Sequence, residues 1–552
     1  MIPRRASIVA LSLLFAAASV VPLVARQEDH ACAGPVGYVP GEILERPVAL
    51  KEGVGRAHEL VTTSSAAAQG FYDQGIAYLH SYVWIEAARS FHQALKSDPS
   101  LAMAYVGLSR AYSGLEDPAA AKAAVVKAQG LSAGTTERER RRIALRAKQL
   151  DAMEDFGDAA KLLEYRKAID EAIVADGSDV ELWLIRGNAE EPTAAGRGQR
   201  GGLASTLFYD KALALDPDNF AAHHYLVHSF ETIGRIDEAL LHGEAYSRLA
   251  PAIPHAHHMY GHDLRRVGRI DEAIERFLKA DELEQAYYRT EKIPDALDWH
   301  HKHNLDLLST SYQYVGRLKT AEGLMKEAGV SESVTDYLEF NRKEWPEFLL
   351  SRGRNDEALA ASRKLGSGKW AVTRAAGHAL AGQAFLAMGK PADAAGALLA
   401  ASTALEEAPL TSTGISIPRA GAEPYVESLR AEMLLREGKK EEARPIFLAL
   451  EKRLRALPGP DAWSQTLFRL ESIARVAREN GDWDLADLTA KQMVDHDPSY
   501  AGTHLATALV AEHRGDPDLA RKELKEAERL WRDADTDLPE LNQIRSIIAS
   551  LG

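Results

Sequence analysis

The hexapeptide Gly234-Arg235-Ile236-Asp237-Glu238-Ala239 recurs letter for letter at Gly268-Arg269-Ile270-Asp271-Glu272-Ala273, 34 residues further on. A looser form, a glycine followed five residues later by an alanine, returns at Gly316/Ala321, Gly353/Ala358, Gly389/Ala394, Gly438/Ala443, Gly481/Ala486 and Gly515/Ala520. Self-similarity at such a period means that one small unit is stacked many times, each copy burying a face of the next. The glycine closes one helix, where a left-handed backbone carries little strain only for glycine. The polar or acidic residues after it start the next helix at the positive end of its dipole. The alanine is small enough for that second helix to seat closely on the first. With 552 residues the chain is too long for one compact core. Its 46% hydrophobic and 26% charged residues place it among folded chains.

The unit resembles the tetratricopeptide repeat, two antiparallel helices in 34 residues. The first copy puts Phe71, Gly75 and Tyr78 on one helix and Ala87, Phe91 and Ala94 on the next, and ends at Asp98-Pro99. Asp216-Pro217 and Asp497-Pro498 close other copies in the same way. The resemblance implies an all-α, right-handed α-solenoid of about ten or eleven helix pairs. Spacings of 48 residues from Gly268 to Gly316, and 49 from Gly389 to Gly438, point to longer helices or loops there. The expected organisation is N-terminal repeats over 66–219, histidine-rich central repeats over 220–330, C-terminal repeats over 331–533 and a capping helix over 534–552. The glycine-rich stretch 191–202 is expected to be a flexible insertion. Its order does not match a phosphate-cradling loop. Solenoids of this kind present a concave groove to a protein or peptide, which is the partner expected here.

The N-terminus reads as an export signal. Arg4 and Arg5 precede an apolar run from Ala6 to Val21, and Pro22-Leu23-Val24-Ala25 offers a cleavage point after Ala25. Residues 1–25 are therefore expected to be a signal peptide, 26–65 a partly disordered leader, and the mature protein periplasmic or secreted. Cys32 is the one cysteine, which rules out an internal disulfide and makes cysteine catalysis improbable. No later segment is apolar enough to span a membrane. A formal net charge of −14 argues against nucleic acid as a partner, because phosphate binding needs a basic surface.

Histidine breaks the uniformity of the array. Eleven of the 19 histidines lie between His223 and His303. His224 and His228 precede Gly234 by ten and six residues, and His258 and His262 stand at the same offsets from Gly268. His255 lies thirteen residues before Gly268 and His303 thirteen before Gly316, while Asp306 takes the place ten before Gly316. Offsets of three and four keep side chains on one helix face, so residues 255, 258 and 262 form one stripe and 224, 228 and Glu231 the next. The stripe is expected to face the groove. Two histidines four apart can bind one metal ion, and packed helices lie about 8–10 Å apart. The pairs therefore suit one shared ion or two neighbouring ions. Glu231, Asp306, His255 and His303 are candidates to complete or orient the ligands. Imidazole-rich sites suit zinc, copper, iron or nickel. His223, His257, His300 and His301 are read as packing or outer residues.

The segments His224–Glu231, Pro254–His262 and His303-Asn304 are also similar to a group of bacterial repeat proteins. That group carries H-x-x-x-H-x-x-E, H-x-x-H-M-x-x-H and a later His-Asn pair. The resemblance implies a site on His224, His228, Glu231, His255, His258, His262, His303 and Asn304 without naming a reaction. Two functions follow as expectations. One is an exported scaffold that binds a protein or peptide in its groove, with a histidine metal site in its middle. The other is a metal-dependent hydrolase or oxidoreductase with Glu231 as general base.

Overall fold

A computed structural model describes residues 39–155, 158–328, 336–410, 417–455 and 460–551. The expected signal peptide and Cys32 lie outside them. Every regular element among the described residues is helical, and successive helices pair antiparallel, as Ala66–His80 does with Trp84–Ser97 and Phe220–Thr232 with Ile236–Leu249. The chain is an all-α solenoid.

The recurrent residues do what their chemistry requires. Gly234 and Gly268 have φ of 76° and 78°, and the six later glycines of the pattern share that left-handed region. At the first of these turns the Arg235 N–H donates to the Phe230 carbonyl at 2.9 Å, which ends the helix. The eight alanines from Ala239 to Ala520 that follow these glycines are fully buried. In the first repeat, Gly75 and Gly107 face opposite sides of the Phe91 ring. A Cβ at either position would come within 2.5 Å or 2.3 Å of it. Two units depart from the rule. Tyr82 and Glu116 stand where the glycine belongs, five residues before Ala87 and Ala121, and both keep φ at 59°. Holding a non-glycine residue there costs about 1 kcal/mol or more.

The stretch 39–65, expected as a partly disordered leader, is instead a packed strap. Ile43, Leu44, Val54 and Val61 are buried in the same core as the first helices. The Arg89 side chain donates to the Pro47 carbonyl at 2.7 Å, the Lys51 N–H donates to Gln74 at 2.7 Å, and the Ala252 N–H donates to the Gly53 carbonyl at 2.8 Å. Main-chain pairing of this kind has no periodic signature, so the strap is invisible to a search for helices. The glycine-rich stretch differs from expectation as well. The buried Glu191 carboxylate accepts N–H groups from Arg197, Gly198 and Gln199, with distances of 2.8 Å and 2.7 Å to the first and last. The loop is thus ordered around an internal anion.

The array folds back on itself. The end of the helix Ala66–His80 and the turn after it land on the helices Phe220–Thr232 and Ile236–Leu249, where His80 Nδ1 meets the Tyr225 hydroxyl at 2.8 Å and Tyr246 donates to Ser81 at 2.9 Å. Residues between Phe340 and Leu429 pack around two cores of their own. The chain then returns, and helices between 460 and 551 share a core with Tyr260, Leu264, Leu307 and Leu308. Trp531 donates to the Tyr314 carbonyl at 3.2 Å, and the Asp535 N–H to the Gly316 carbonyl at 3.1 Å. The helix Pro539–Ser550 caps this end with Leu541 and Ile544 buried. The central repeats are therefore held from both sides.

Candidate metal centre

Three neighbouring first helices, Phe220–Thr232, Pro254–Arg266 and His300–Tyr314, bring the histidines together. They form two groups, His224/His228/His255 and His258/His262/His303, each with ligand atoms within 4.8 Å of one another. Both groups are built alike. Each takes the i, i+4 pair of one helix and adds the histidine that stands thirteen residues before the glycine of the following unit. One unit further on, the same three places hold Asp306, Thr310 and Phe340, and the construction ends.

In the first group Nε2 of His224 lies 3.1 Å from Nε2 of His228 and 3.0 Å from Nε2 of His255. Nitrogens bound tetrahedrally at about 2.1 Å stand about 3.4 Å apart, so three converging imidazoles have nearly the spacing of a filled coordination sphere. The tautomers follow from fixed acceptors. His224 Nδ1 is 2.6 Å from the His80 carbonyl, which can only accept, so the proton sits on Nδ1 and the lone pair on Nε2. In the second group Asn304 donates its amide to the Phe277 carbonyl at 2.9 Å. This turns its oxygen to His258 Nδ1 at 2.9 Å. His258 therefore also presents a lone pair on Nε2, and that atom is buried without a hydrogen-bond partner. His262 Nε2 is buried and unpartnered in the same way. Buried nitrogens left without partners cost stability unless something binds them.

His300, expected as a packing residue, is part of the centre. Its ring lies between the two groups, with centroids 5.0 Å from His255 and 4.6 Å from His258. Its Nδ1 is bonded to the Glu284 carboxylate, and its Nε2 is buried and unpartnered. It escaped the spacing argument because it opens its helix rather than sharing the register of the other six. Two aromatic walls were missed as well. Tyr82 lies 4.6 Å from the His224 ring, and Trp299 lies 6.0 Å and 6.1 Å from those of His255 and His303. The one available signal for Tyr82 was its place in the glycine register.

Burial, reinforced by neighbouring histidines, holds His224, His255, His258 and His262 far below the ordinary imidazole pKa. Burial alone brings His228 down to about 3, and burial, with some help from His301, outweighs Asp298 and brings His300 to about 4. All are neutral at pH 7, the form that binds a metal. Glu231, expected to complete or orient the ligands or, in an enzyme, to act as general base, stands behind the rings. Its oxygens lie 3.4 Å from His262 Nδ1 and 4.0 Å from His228 Nδ1, on the side away from the His224–His228 contact. That is the place of a carboxylate that orients ligands. Asp263, fully buried, is pushed well up by burial and by Glu231, and burial raises Glu284 likewise. With Arg266 the nearby cation for the first pair, these acids concentrate potential negative charge around neutral imidazoles.

The histidine stripe does not line an open groove. All seven rings are at most 6% exposed. Tyr82 and Trp299 cover one side, and the returning helix Pro460–Glu479 packs on the His258 helix, where Arg265 bonds Ser464. Asp306 belongs to neither group and accepts the Asn341 amide at 3.3 Å. His223 pairs with His242 at 2.8 Å and His301 with Asp281 at 2.8 Å, outside both groups. The letters G-x-S-x-G do occur, at Gly130–Gly134, but on a helix end and a single 3-10 turn rather than the strand-to-helix elbow a nucleophile needs.

Residues 472–535 match the family model for the tetratricopeptide repeat. The glycine turns repeated along the array have the same geometry in the units before this match. No curated protein matches the sequence. Among solved structures, the chain is similar to a tetratricopeptide repeat protein from Parabacteroides merdae, with 17% identity over 48% of this chain and 93% of that one, at a TM-score of 0.33. It is also similar to the human IFIT1 dimer with PPP-AAAA, with 11% identity, coverage of 78% and 90%, and a TM-score of 0.38. The Cut9-Hcn1 hetero-tetramer of APC/C matches with 11% identity, coverage of 88% and 84%, and a TM-score of 0.35.

Proposed function

We propose that this is an exported repeat scaffold whose central units hold two transition-metal ions, one per histidine trio. The observation that carries the reading is the pair of buried three-histidine groups, each with a main-chain carbonyl fixing a ligand tautomer, directly at His224 and through Asn304 at His258. Nitrogen-only ligand sets suit zinc or copper, and the carboxylates stand behind the rings, so iron with its oxygen ligands is the poorer fit. An ion bound in such a site supplies Lewis-acid or redox chemistry. The chain's own residues do the rest. Glu231 and Glu284 orient rings and balance charge, and Tyr82 and Trp299 exclude water.

The test is elemental analysis of untagged protein. Two equivalents of zinc or copper per chain are expected, with one lost in His224→Ala and the other in His258→Ala. Absence of stoichiometric metal under replete conditions, or full retention in both variants, defeats the reading. Export is tested by N-terminal sequencing of the secreted or periplasmic protein, expected to begin at Arg26. A protein partner rests on the repeat architecture alone.

A further inference from the structure

The first helices of the N-terminal repeats line a cavity of about 100 Å³, with Tyr82, Trp84 and residues 195–197 also in its wall. That volume suits a molecule of a few heavy atoms rather than a peptide. Arg110, Arg142, Arg146 and Arg197 all line it, an unusual density of cations for an interior space. Two of them are matched. Arg110 meets Glu181 at 2.6 Å, and Arg142 meets Asp179 at 2.5 Å and Glu59 at 2.9 Å. Arg146 is not. It is 5% exposed, and it donates only to neutral oxygens, those of Ser109, Ser113 and Gln149, at 2.5–2.9 Å. A buried cation whose hydrogen bonds are satisfied but whose charge is not calls for an anion. Around it, Ile76, Leu79, Met103 and Val106 give an apolar lining that would shelter a short hydrocarbon end.

We propose that this cavity binds a small organic carboxylate of about two to four carbons, its charge opposite Arg146 and its apolar end against Ile76, Leu79 and Met103. Tyr82 is the wall common to this cavity and the histidine centre. Binding at Arg146 does not itself require metal. Arg146 pKa lowering to about 9, by burial and by Arg110, agrees with a charge that has no anion beside it.

Isothermal titration of the full mature chain, both metal-free and metal-loaded, with acetate and butyrate tests this. One saturable site per chain is expected in both forms, with butyramide at least tenfold weaker than butyrate. Arg146→Met should weaken butyrate at least tenfold. Val106→Phe, which fills the space without touching a charge, should abolish binding while helix content is retained. It also keeps the test decisive if Arg146→Met fails to fold. Absence of saturable binding by either carboxylate in wild type overturns the proposal, as does butyrate binding unchanged by both substitutions. Inorganic phosphate binding more tightly than butyrate overturns the carboxylate assignment. Because the metal-free form is titrated separately, loss of metal and loss of the anion site are read independently.

Discussion

At the scale of single residues, the centre depends on hydrogen bonds that touch no ligand atom. Asn304 is the clearest case, because it converts a carbonyl on one helix into the tautomer of a histidine on another. Asn304→Leu frees the His258 ring to protonate either nitrogen. It is expected to weaken metal binding in the second trio roughly 10–100-fold while sparing the first, as measured by competition with a chelator. The buried imidazoles also set an acid limit. His228 and His300 titrate near 3 and 4 when folded, against about 6.5 when unfolded. Between those values the unfolded chain takes up more protons. The stability of metal-free protein should therefore hold above about pH 7 and fall as pH drops below about 6.5. Each such histidine contributes a slope of up to roughly 1.4 kcal/mol per unit that ends near its folded pKa. Urea melts at pH 7.5, 6.0 and 5.0 read this out, and a pH-independent midpoint contradicts it. Much of the trio was legible in sequence. His224 with His228 and His258 with His262 share a register, and His255 and His303 share another. The seventh, His300, was not, because its approach to the others depends on how one helix starts.

At the scale of the helix pair, two kinds of glycine carry different loads. Gly481 has φ of 66° with open space around its Cβ position, so Gly481→Ala tests backbone strain alone and should cost about 1 kcal/mol. Gly107 faces the Phe91 ring so closely that a Cβ would stand only 2.3 Å from it, so Gly107→Ala should cost about 1–3 kcal/mol through overpacking. Thermal melts of the two variants side by side decide the order. Such elements were readable because helix ends and close contacts have local residue signatures. The strap 39–65 and the ordered loop at 191–202 were not. They are held by a few scattered apolar residues, single hydrogen bonds to the main chain and one buried carboxylate, which leave no periodic pattern. Tyr82 lies between these cases: its register marks it as an exception, but only the fold shows which ring it covers.

At the scale of the whole molecule, binding and folding are linked. If both trios take an ion, free metal at about 100 times its dissociation constant should stabilise the fold by about 2.7 kcal/mol per site. A dose-dependent rise in melting temperature is expected in wild type and about half of it in His224→Ala. No rise in wild type contradicts two-site loading. The acidic chain and its fold class were legible from the outset, because repeats and net charge are properties of the sequence as a whole. That the two arms fold back onto the centre was not, since contacts such as Trp531 to Tyr314 join residues 217 apart.

That return path has a genetic consequence. Open repeat proteins gain and lose copies by unequal duplication with little penalty, since each unit meets only its neighbours. Here the C-terminal repeats must reach Tyr314 and Gly316, and the first repeat must reach Tyr225, so an added or missing unit in either arm would leave that arm's meeting out of phase. The number of repeats in this array is a fixed quantity, inherited like the length of a closed ring rather than that of a string of beads.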